Sequence, residues 1–147
     1  MSQYIVLAAI DLQHDDSDRN IAEEALALAR NHEAELHLVF VIPDQKNEYV
    51  QAYIPAEMKA EVEKDARADL DAFGASLDSG GTKVATHVLR GIVYQEIVQL
   101  SDRIKADIVV IGAHKPGFMD FFLGPNSARV ARHAECSVMI VRPARNE

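Results

Sequence analysis

Two textures of apolar residue alternate along this chain. Short unbroken runs, the first of them residues 4–10 (Tyr-Ile-Val-Leu-Ala-Ala-Ile), are separated by longer stretches in which apolar positions recur every three or four residues. An unbroken run without helical spacing predicts a strand covered on both faces. Residues 35–42, 82–89, 107–112 and 137–141 predict four more strands, all short and rich in Val, Ile and Leu. Between them, Ile21, Ala25, Leu28 and Ala29 mark the apolar stripe of one helix. Met58, Val62, Ala66, Leu70, Phe73 and Leu77 mark a longer one, opened by Pro55 and closed by Ser79-Gly80-Gly81. Val93, Ile97, Leu100 and Ile104 mark a third, and residues 125–134 predict a fourth.

Strand and helix in strict alternation mean an α/β fold, a doubly wound parallel sheet reached by right-handed crossovers. The pattern predicts one domain over residues 1–147, and for a five-stranded sheet in which the chain reverses direction once the order 3-2-1-4-5 is expected. The connection 43–54 is longer than most, and its Asp44, Lys46, Asn47 and Glu48 make it the expected mobile segment.

Composition narrows the function classes. With 48% apolar and 26% charged residues the chain has the makeup of a globular protein, and disorder, collagen and a disulfide scaffold are excluded. A net charge of -8 without any basic block argues against nucleic acid and anionic membranes as partners. The single Cys136 lies beside Ser-Val-Met-Ile-Val and reads as a small buried hydrophobe, which fits a reducing cytoplasm. The opening residues lack a basic n-region, so a cytoplasmic location is expected.

In an open parallel sheet, ligands bind beyond the carboxyl ends of the strands, where the strand order reverses. The stretches to interrogate are therefore Ala9-Ile10-Asp11, Val41-Ile42-Pro43, Leu89-Arg90-Gly91, and Gly112-Ala113-His114-Lys115 through Gly124-Pro125-Asn126-Ser127. Gly112 and Gly124 allow a close backbone approach that a Cβ would obstruct, although a tight turn and an N-cap would use glycine equally well. With Pro125 in the first turn, the N–H groups of Asn126, Ser127 and Ala128 stand at the positive end of a helix dipole, which suits phosphate. Asp15, Asp16 and Asp18 resemble a cation cluster, but acids gathered at a helix start also complement its dipole. The six histidines lack zinc spacing, and His133 suits the carboxyl end of its helix. Residues 11–16 supply neither G-x-G-x-x-G nor G-x4-G-K-[ST], and Arg90-Gly91 stands where a response regulator needs its phosphorylatable Asp.

Gly112-Ala-His-Lys, eight intervening residues, Gly124-Pro-Asn-Ser, and then the run from Val130 to Pro143 resemble the C-terminal signature of the universal stress protein A family. The resemblance extends over the whole chain and implies an adenine-nucleotide alpha-hydrolase-like fold. Ligand-binding members carry G-x2-G-x9-G-[ST], whose backbone holds the phosphates of ATP. Here Lys115 stands at the second glycine, the spacer is one residue shorter, and Pro125 replaces the hydroxyl residue. Asn126 and Ser127 still offer donors, and Lys115 adds a cation. By the same resemblance Ala9, Ile10, Asp11 and Val41 line the adenine and ribose end, Arg90 and Gly91 flank the nucleotide, and His114 touches phosphate. It further implies a binding module with ATP, and Mg bound with the nucleotide, and a homodimer paired through residues 137–141, open to higher assembly. Some members are encoded beside transporters, one of them a compatible-solute transporter of a halophile, so a transporter is among the protein partners it admits. Two alternatives stand beside this reading: a slow ATP hydrolase or phosphotransferase using His114 or Asp11, and a dimeric scaffold that binds no nucleotide.

Overall fold

The structure is a computed structural model that describes residues 3–12, 16–44, 52–113 and 124–142. In chain order these form β1 (Ile5–Ala9), α1 (Asp16–His32), β2 (Glu35–Pro43), α2 (Ala56–Ala75), β3 (Val84–Gly91), α3 (Val93–Ile104), β4 (Ile108–Gly112), α4 (Gly124–His133) and β5 (Ser137–Val141). The five strands pair in parallel, as the alternation predicts, and stand in the expected order β3-β2-β1-β4-β5.

Side-chain alternation on the central strands builds a core on each face of the sheet. Val6, Ala8, Leu36, Leu38 and Val110 pack with Ile21, Ala25 and Leu26 of α1 and Leu70 of α2. Leu7, Ala9, Val39, Val41, Val109 and Ile111 pack with Val93, Ile97 and Leu100 of α3 and Val130 of α4. Burial of both faces explains why β1 and β4 read as unbroken apolar runs.

Three expectations are corrected. The third strand runs from Val84 to Gly91, two residues later than 82–89, because the ladder with β2 continues through Arg90 opposite Ile42 and Gly91 opposite Pro43. The long helix stops at Ala75, where Ser76 N–H donates to Ala72 O and Ser76 Oγ donates to Phe73 O at 2.6 Å. Gly80, at φ 61°, therefore turns the connection into β3 and does not close the helix. The apolar stripe of that helix is not buried throughout: Leu70 is fully buried, whereas Met58 is 57% and Val62 45% exposed. Cys136 is half-buried. Of the 43–54 connection, residues 45–51 lie outside the described residues.

Candidate nucleotide site

At the end of β1 the chain must leave the sheet without losing its hydrogen bonds. Ile10 N–H still donates to Val39 O at 2.8 Å. The next two N–H groups have left the ladder, and the carboxylate of Asp18 takes both: Oδ1 accepts from Asp11 N–H and Oδ2 from Leu12 N–H, each at 2.8 Å. Asp18 is 3% exposed, and Leu12 adopts the left-handed φ of 58°. A buried carboxylate holding two backbone donors is a strong, charge-assisted clamp, and its place in the first turn of α1 adds the favourable dipole. Asp18 therefore does more than the dipole role its sequence position suggests. Its partners lie six and seven residues away in a turn without periodicity, so no sequence signal marked them.

The clamp anchors the backbone at Asp11. Together with Ala9, Ile10, Val39, Phe40, Val41, Val93 and Ile97, Asp11 lines a narrow depression of ≈ 10 Å³ at the carboxyl ends of β1 and β2. The structure thus brings Ala9, Ile10, Asp11 and Val41 to one place, and adds α3 residues that sequence reasoning did not assign to the site. One Asp11 carboxylate oxygen is shielded from solvent there. Apart from that single carboxylate the side chains lining the depression are apolar.

The second half of the expected site lies across the point where the order reverses. Gly112 ends β4 opposite Val141 of β5, and Ala113 N–H donates to Val141 O at 2.8 Å. Gly124 opens α4, one residue before the predicted start. Asn126 and Ser127 follow in its first turn and are 7% and 6% exposed. Asn126 has a task that its motif position did not reveal. Its Oδ1 accepts from Tyr94 N–H at 3.2 Å, at the start of α3, whose own N-cap Ile92 supplies no side-chain bond. The acceptor end of Asn126 thus serves the fold. His114 and Lys115 lie outside the described residues.

Arg90 and Gly91 sit apart from the depression. The half-buried Arg90 guanidinium donates to Glu63 Oε1 at 3.1 Å and to Lys59 O at 3.2 Å, with Asp44 Oδ1 4.0 Å away. It ties α2 and the end of β2 to β3. Gly91 has a φ of 150°, and a Cβ there would meet Glu96 Cγ at 3.0 Å, so the fold itself requires this glycine. His133, the last residue of α4, lies 5.6 Å from the Tyr94 ring. Among the described residues no group of three or more His, Cys, Asp or Glu could hold a metal ion, and no helix is long and apolar enough to cross a membrane.

With this geometry in hand, the comparisons with known proteins take on meaning. Residues 4–142 match the family model described as the universal stress protein family. Universal stress protein MJ0531 of Methanocaldococcus jannaschii is 28% identical over 137 residues, 90% of this chain and 81% of that protein. Universal stress protein A homolog 1 of Coxiella burnetii is 27% identical over 139 residues, 92% of this chain and 94% of its own length. Among solved structures, that of the protein MJ0577 superposes with a TM-score of 0.79 at 20% identity, covering 99% of this chain and all of the other. A universal stress protein from Archaeoglobus fulgidus, solved in complex with dAMP, superposes with a TM-score of 0.69 at 20% identity, covering 95% and 98%. The doubly wound sheet, the motif glycines at its reversal point and a match spanning nearly the whole sequence lead to one conclusion: this chain belongs to the universal stress protein family.

Proposed function

We propose that this protein binds ATP at the carboxyl ends of β1 and β4 and acts in the cytoplasm as a nucleotide-responsive regulatory module through protein contacts, rather than as an enzyme. The observation that carries the reading is the convergence of Ala9, Ile10, Asp11 and Val41 at the carboxyl ends of β1 and β2, with the backbone at Asp11 anchored by Asp18. The base lies over Ala9, Ile10 and Val41, Asp11 accepts from base or ribose, and the phosphates reach Gly112 and the first turn of α4, where backbone donors and the dipole favour an anion. Lys115 and His114 belong to the same proposal as phosphate contacts. Mg, where present, arrives with the nucleotide, since the described residues bring no carboxylate cluster to the phosphate end. The dAMP bound by the Archaeoglobus fulgidus relative and the cAMP bound by another structural relative support an adenine nucleotide as the ligand class. Arg90 drops out of the proposed contacts because its guanidinium holds α2.

The same reading includes a homodimer paired through β5. That strand lies at the sheet edge, its Val138, Met139, Ile140 and Val141 are uncharged, and Ile140 is 40% exposed. A transporter as the regulated partner is the finest detail proposed, and it rests on the family resemblance alone.

Calorimetric titration with ATP and adenosine tests the core of the reading. Gly124→Val is expected to abolish ATP binding while leaving the fold intact by circular dichroism, because its side chain would fill the space the phosphates need. A folded Gly124→Val that kept native affinity would sink the placement. Release of unchanged ATP after a single-turnover incubation is expected, and stoichiometric ADP would favour the hydrolase alternative.

A further inference from the structure

The first half of α2 carries apolar side chains that the fold does not bury. Of the twenty residues of this helix only Ala66, Leu70 and Gly74 are buried, while Met58 and Val62, one turn apart, remain about half exposed. A helix advances about 5.4 Å per turn, and i, i+4 positions share a face. That face leads towards a second feature, a cleft of ≈ 440 Å³ between α2 and the start of α1. Its apolar lining is Leu12, Ala72 and Phe73, and its acidic lining includes Asp16 and Asp69.

On α2 this face is acidic. Glu61, Asp65 and Asp69 recur at i, i+4 and i+8, which sets an acidic ridge beside Met58 and Val62; Lys64 borders the ridge at Glu61, and helical spacing turns Arg67 to the opposite side. The cation in the cleft, Arg19, is engaged by the fold: its guanidinium lies 5.6 Å from the Phe73 ring centroid and donates to Ser76 Oγ at 3.1 Å.

We propose that this face docks a basic amphipathic helix of a second protein, with its apolar residues over Met58 and Val62 and in the cleft, and its Lys or Arg residues against Asp65 and Asp69. Exposed apolar groups one helical turn apart match the spacing of helix-in-groove recognition, and the acidic ridge selects the partner's charge. A second copy of the same face would set acid against acid, and an anionic membrane would be repelled. A small free cation would have no use for Met58 and Val62. The docking requires no nucleotide, so it stands or falls separately from the ATP proposal.

The test uses the full chain and a synthetic Leu/Lys peptide of about five turns with one apolar face, beside a scrambled peptide of the same composition. Amide shifts in heteronuclear NMR are expected to concentrate on α2 and the start of α1, with affinity for the amphipathic peptide at least about tenfold above that for the scrambled one. The double variant Met58→Ser/Val62→Ser, which alters exposed positions only, is expected to lose that tenfold while melting like the parent. Asp65→Asn/Asp69→Asn is expected to weaken binding and reduce its salt dependence. Equal binding of both peptides, shifts elsewhere, or unchanged affinity of the Ser variant would overturn the proposal. So would self-association that the Ser variant abolishes, which would make the occupant a second copy.

Discussion

The two outer strands of the sheet solve the same problem in opposite ways. Both β3 and β5 pair on one side only, and a bare edge invites pairing with another chain. β3 is long and tied down by polar side chains. On one face Thr86 Oγ1 donates to Asp71 of α2. On the other, His37 Nδ1 and His87 Nε2 lie 2.8 Å apart, with ring centroids separated by 5.1 Å and planes inclined by 18°, so the hydrogen bond runs nearly in both ring planes. Glu35 Oε2 sits 3.2 Å from His37 Nε2, which orients His37 to donate to Glu35 and to accept from His87. At the strand end Arg90 holds α2. β5 has only five residues, and its last four are apolar. Polar tethers make an edge part of its own domain, whereas an uncharged apolar edge is open to the partner strand proposed above.

The largest expected effect breaks the contrast directly. Ile140→Lys places a charge on the β5 edge and should weaken the proposed dimer at least about a hundredfold by analytical sedimentation, whereas Ala85→Lys on β3 should leave the assembly state unchanged. A wild-type chain that sediments as a monomer at tens of micromolar would remove the basis of the comparison.

Smaller effects sharpen the β3 side. Gly91→Ala forces a side chain into φ 150° against Glu96 and should cost about 1–3 kcal/mol in chemical denaturation. Adding Glu96→Ala should recover only part of that loss, since the backbone strain remains. Arg90→Met keeps the aliphatic stem but drops the bonds to Glu63 and the Lys59 carbonyl, for an expected loss of about 1–2 kcal/mol. A loss no larger for Arg90→Met than for Arg103→Met, a change on exposed α3 surface, would deny the guanidinium its tethering role.

The smallest effect is in pH dependence. Burial first, then electrostatic repulsion from His37, Arg103 and Arg67, lowers the pKa of His87 below its ordinary 6.5. The unfolded chain therefore binds the proton more readily than the folded one, and stability should fall as pH drops through about 6.5 towards the lowered value. Above that window His87 contributes no slope. His87→Gln should flatten the curve between about pH 5 and 7 relative to the parent, and an unchanged slope would show that other groups dominate acid destabilisation.

Much of the fold was legible because its determinants are local. The run at residues 4–10 announced β1, and the spacing Val93, Ile97, Leu100 announced α3, whose three residues are all buried. The third strand was placed two residues early because Arg90 and Gly91 were read as its exit, and only their pairing with Ile42 and Pro43 of β2 makes them strand. For the site, Ala9, Asp11 and Val41 were legible from strand ends and do share a depression. Asn126 was read as a ligand contact from its place at a helix start and Arg90 from the family resemblance, and the structure shows each engaged by a helix more than twenty-five residues away.

By itself the sequence determined the kind and succession of the strands and long helices among the described residues, their parallel pairing and the end of the sheet at which a ligand could sit. Hydrophobic period is a local property, and strand-helix-strand connections have one hand. The tertiary structure alone decided which acid turns the chain at β1, which half of the α2 stripe is buried, which histidines meet and which edge is tethered. Each of those outcomes joins residues from separate elements, and their pairing depends on distances in the folded chain that no periodicity encodes.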